Sequence, residues 1–106
     1  MAEDMSKMLE KLQQLQEQMQ RVQDELAMKS VTVESGGGVV RVTANGKSQI
    51  LKIEIEKEVI DPNEKEMLED LVVAAVNRAL ERAKEVADTS MSDAARSMLP
   101  PGFPLP

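Results

Sequence analysis

Any chemistry in this 106-residue chain would have to come from carboxylates, hydroxyls, lysines and arginines, because it has no histidine and no cysteine. Imidazole acid–base catalysis, thiol nucleophiles, disulfides and zinc sites built on those residues are thereby removed. Serine and threonine are present, but a nucleophile needs a base, and no lysine or carboxylate is spaced to supply one. Glu66 and Asp70 lie four apart on one helical face, beside Glu64 and Glu69, yet no second motif completes an oxygen cage for a metal. Acids in the first turns of a helix are favoured by its dipole in any case. The run Gly36-Gly37-Gly38 lacks the glycine spacings of phosphate-binding loops and is followed by a strand pattern, so it reads as a permissive turn. No cofactor, metal or small-molecule substrate is expected, and the chain does not read as an enzyme.

Two sets of cations remain. Lys7, Lys11, Gln14, Gln18 and Arg21 form a helical line without an acid, which can be a solvated flank or a rail of phosphate contacts. Arg78 and Arg82 lie four apart on a second helical stretch, interleaved with Glu81 and Glu85. These seven residues are the candidate phosphate-contact positions.

The element that must position the first set runs from Met5 to Leu26. Met5, Met8, Leu12, Leu15, Met19, Val22 and Leu26 alternate in steps of three and four, the seam of three heptads. Glu3, Glu10, Glu17 and Asp24 fall opposite the seam, and the cationic line runs along one flank. A helix of about 24 residues is about 36 Å long, whereas no strand here could exceed about 25 Å. The chain's own sheet therefore cannot cover the seam, and another copy or a different partner must. Met5, Met8, Leu12, Leu15, Met19 and Val22 are accordingly expected in a dimer interface.

Lys29 to Ser35, Val39 to Ala44 and Ser48 to Glu56 alternate as strands, separated by the glycine run and by Asn45-Gly46, a strong hairpin signal. By parity, Val31, Val33, Val40, Val42, Leu51, Ile53 and Ile55 share an apolar face. Val39 and Ile50 fall on the polar side, which makes them further candidates for contact with a second subunit. Asp61-Pro62-Asn63-Glu64 is a helix start, with Asp as N-cap and Pro at the first helical position. A broad apolar stripe follows from Leu68 to Ala87. Thr89 to Ser92 weaken the pattern, and Ser92 is placed to cap a short last helix through Met98. The expected organisation is one domain over residues 1–99 and a proline-rich tail over 100–106.

The formal charge is −6, and only residues 28–57 are net basic, with five basic and three acidic side chains. Without a signal region or an apolar run of the roughly 18 residues a membrane helix needs, a cytoplasmic protein with no membrane partner is expected.

Taken together, Met8-Leu9-Glu10-Lys11-Leu12-Gln13-Gln14-Leu15-Gln16, Gly36 through Gly46, Leu68 through Leu80 and the closing Pro101-Gly102-Phe103 resemble the YbaB/EbfC family of bacterial nucleoid-associated proteins. The resemblance implies an α+β fold of order α-β-β-β-α and an intertwined homodimer with helices projecting from a central sheet region. It also implies binding to duplex DNA in the nucleoid, to organise or regulate the chromosome without catalysis. The residues themselves leave a second class open, a non-catalytic protein-binding scaffold or adaptor that holds partner helices on its Met-rich seam.

Overall fold

Leu, Met, Gln, Glu and Lys dominate the first 28 residues, all good helix formers, and they form a single helix, α1, over Ala2–Met28. The computed structural model describes residues 2–99 and 102. The chain continues into a three-stranded antiparallel sheet in the order β1 (Ser30–Ser35), β2 (Val40–Asn45) and β3 (Ile50–Ile55). Two 3-10 turns, Lys57–Val59 and Pro62–Glu64, lead to α2 over Lys65–Met98. The architecture is the α-β-β-β-α order of an α+β fold. Most of the proline-rich tail lies outside the described residues.

Asp61 caps the 3-10 turn Pro62–Glu64, its carboxylate accepting from the Asn63 amide at 2.9 Å, while α2 itself begins only at Lys65, after Glu64 and without a side-chain cap. The polar run at Thr89 to Ser92 does not break α2, which continues unbroken to Met98. Hydroxyl residues lower helix propensity by only tenths of a kcal/mol each, too little to interrupt a helix of 34 residues. The separate short last helix is therefore not formed.

The core lies between α2 and the first two strands. Val33, Val40, Val42 and Ala44 pack on Ala75, Ala79 and Ala83, and all seven are buried. Alanines four apart on α2 let its backbone approach the sheet closely. The largest side chains fully buried there are valines, Val40 and Val42. So thin a core is weak support for a chain 74 Å long.

Strand parity holds through β1 and β2, and in β3 only from Lys52 onward. The register passes from Thr43 opposite Lys52 to Ala44 opposite Ile50, leaving Leu51 as the extra residue of a bulge. Ile50 is thus paired with buried Ala44 and belongs to the apolar side, not the polar side. Val39 also departs from expectation. It precedes β2, sits in the glycine turn and packs on the edge of the core. On the polar face, Arg41 pairs with Glu56 at 2.8 Å and Glu54 at 3.5 Å. The Glu56 hydrogen bond, outweighing some desolvation, raises the guanidinium pKa.

The two hairpin turns use their special residues differently. Gly36, Gly37 and Gly38 all have positive φ, as a turn built on glycine's freedom requires. Gly46 does not. The left-handed residue of the second turn is Ser48, with φ of 60°. Asn45 organises that turn, its Oδ1 accepting from the amides of Lys47 at 3.0 Å and Gln49 at 3.1 Å. Gly46 is needed for proximity, because its amide donates to the carbonyls of Leu26 at 2.9 Å and Lys29 at 3.0 Å. That contact docks the end of α1 on the sheet.

Candidate nucleic-acid interface

Lys29 Nζ donates to Ser90 Oγ at 2.9 Å, and Gln18, Arg21 and Val22 share a cleft with Ser90, Asp93 and Ser97. The C-terminal part of α1 therefore runs antiparallel beside the C-terminal part of α2. Among the described residues, nothing covers the remainder of α1. Every residue from Glu3 to Glu17 is exposed, a free arm of fifteen residues about 22 Å long at the α-helical rise.

The seam divides where the support ends. Leu26 is 3% exposed and Val22 9%, so Val22 is already buried within one chain and is not part of the open seam. Met5 (68%), Leu12 (52%) and Leu15 (44%) are open, as are Met8 and Met19. Ile50, Leu51 and Ile53 of β3 are exposed as well, because α2 covers β1 and β2 but reaches little of β3. Apolar surface is thus open both on the arm and on the sheet.

Heptad geometry sets the cationic line roughly a quarter turn from the seam. Lys7, Lys11 and Gln14 stand exposed on the free arm, while Gln18 and Arg21 turn into the cleft facing α2. Arg78 and Arg82 lie elsewhere, along the open edge of β1. Arg78 Nη1 donates to the Glu34 carbonyl at 2.6 Å, and both arginines line a groove with Thr32 and the glycine turn. The two sets are not adjacent. Lys29, absent from both, sits between them, lining one depression with Arg21 and another with Arg82. Sequence spacing could not signal it, since Lys29 belongs to no helical stripe and gains its position from the α1–α2 contact.

Among the described residues, ion pairs occur only on the polar face of the sheet, between Arg41, Lys52, Glu54 and Glu56. The cations of the arm and of the α2 groove are therefore not consumed by internal salt bridges. No described group of three or more acidic side chains gathers as a metal site, and no described helix is long and apolar enough to cross a membrane.

The chain is 41% identical over 103 residues to a nucleoid-associated protein of Pelotomaculum thermopropionicum, covering 97% of this chain and 98% of the relative. It is 40% identical over 98 residues to a nucleoid-associated protein of Syntrophobacter fumaroxidans, covering 92% and 89%. The crystal structure of uncharacterized protein HP0035 from Helicobacter pylori shares the fold, with a TM-score of 0.62, 22% identity, and coverage of 83% of this chain and 98% of that one. Residues 1–98 match the YbaB/EbfC DNA-binding family, and the chain belongs to that family.

Proposed function

We propose that the chain acts as a homodimer that holds duplex DNA through phosphate contacts, with little sequence preference, as a non-catalytic architectural protein of the cytoplasmic nucleoid. One observation carries this reading. The free arm bears its apolar seam and its cations on neighbouring faces, so a second copy can cover Met5, Met8, Leu12, Leu15 and Met19 while Lys7, Lys11 and Gln14 stay open. The exposed β3 residues Ile50 and Ile53 give the second copy a further apolar area. The thin core supports association for the same reason, since a partner would supply burial that one chain lacks.

The family supports DNA as the partner, but the overall charge does not. Two copies carry −12, twice the −6 of one chain. Affinity must therefore come from local cations: Lys7, Lys11 and Arg21, with Gln14 and Gln18 adding neutral hydrogen bonds, and Arg78 and Arg82 contributing from α2. With about three to five phosphates neutralised per subunit, the log–log slope of affinity against salt would be roughly −5 to −9 for a dimer. Fluorescence anisotropy with two unrelated duplexes over a salt series tests this. Similar steep slopes on both duplexes are the expected result. Absence of binding even at about 50 mM salt, where such contacts are strong, would favour a protein-binding scaffold instead.

A further inference from the structure

We infer that Lys29 is an additional phosphate contact, joining the cations of α1 to the arginines of α2 in one continuous track; this rests on the DNA reading above. Three adjoining depressions run along α2. The first holds Arg21 and Lys29, the second Lys29 and Arg82, and the third Arg82 and Arg78. Lys29 and Arg82 are each shared by two of them, so the depressions form a single path from the base of the arm to the glycine turn.

Lys29 fills a gap that α2 leaves. At 100° per residue, Arg78, Arg82 and Arg96 lie on one face of that helix. Between Arg82 and Arg96, about 21 Å of helical rise, the same face offers Glu85, Thr89 and Asp93 and no cation. Lys29 enters from the other element and places its ammonium on Ser90 Oγ at 2.9 Å. That partner is neutral. It holds the ammonium in place without an ion pair and leaves two of its three N–H donors available. No described salt bridge involves Lys29, and the residue is exposed. Glu25, Glu85 and Asp93 line the same depressions. Arg21, Lys29 and Arg82 together match these three carboxylates in number, and without Lys29 the acids would outnumber the cations three to two.

The test uses the full chain and a fluorescein-labelled duplex over about 50 to 200 mM salt. Each lost phosphate contact lowers the salt slope by about 0.9, so Lys29→Ala should lower it by about 1.8 in a dimer that uses both copies. Lys29→Arg should retain the slope. Ser90→Ala removes the hydroxyl tie without removing the charge and should also retain it, with helix content and oligomeric state monitored for all three. An unchanged slope for Lys29→Ala would overturn the inference, as would an equal fall for Ser90→Ala, which would make the Lys29–Ser90 tie structural. Failure of the unsubstituted protein to bind duplex would overturn both this inference and the DNA reading, and it is seen before any substitution is made.

Discussion

Gly46→Ala separates a glycine needed for space from one needed for its backbone angle. A Cβ at this position would lie 2.9 Å from Leu26 Cδ2 and 2.9 Å from the Leu26 carbonyl oxygen. The first atom belongs to a side chain only 3% exposed, and the second is backbone that already accepts the Gly46 amide. Neither can yield alone, so the hairpin must move off α1 and lengthen both hydrogen bonds that the amide makes. Overpacking of this kind costs about 1–3 kcal/mol, and weakening a buried backbone contact adds about 1 kcal/mol. At about 4–8 °C per kcal/mol for a domain of this size, the total of about 2–4 kcal/mol should lower Tm by roughly 8–32 °C. Thermal unfolding by far-UV circular dichroism measures this, at fixed protein concentration because the Tm of an associating chain depends on it. A Tm within about 2 °C of the parent would show that the α1–hairpin contact does not support the fold, and the reasoning would fail.

Ser48→Gly should act in the opposite direction in the same assay. Relief of a left-handed residue is worth about 1–2 kcal/mol against a glycine entropy cost of about 0.5–1 kcal/mol, so a Tm rise of a few degrees is expected. Leu12→Asp places a charge in the open seam and forfeits roughly 1.5–3 kcal/mol of burial in each copy. Sedimentation analysis should show self-association weakened by at least about 100-fold, and an unchanged dimer would remove the seam from the interface. Lys7→Glu combined with Lys11→Glu should leave sedimentation unaltered and lower the salt slope of duplex binding by about 3 to 4. Unchanged binding would make that line an ordinary solvated flank.

The heptad pattern of α1, the parity of β1 and β2 and the Asp61-Pro62 helix start were legible because each is local. Period and cap chemistry act over a few residues, whatever the rest of the chain does. Length alone also determined that the seam outruns the sheet, since helical and extended rises differ by a constant factor. Tertiary structure decided the rest. Where support for α1 ends is set by its antiparallel contact with α2, which buries Val22 and Leu26 and leaves Met5 to Met19 open. The bulge that moves Ile50 to the apolar side depends on pairing across two strands, and no pattern within one strand records it. The need for glycine at position 46 arises from a helix end twenty residues earlier in the chain, not from the turn's own dihedral angles. Lys29, isolated in sequence, becomes the link between two sets of cations only because folding lays the end of α1 beside Ser90. Helical and strand periods fix which residues share a face; only packing fixes which faces meet.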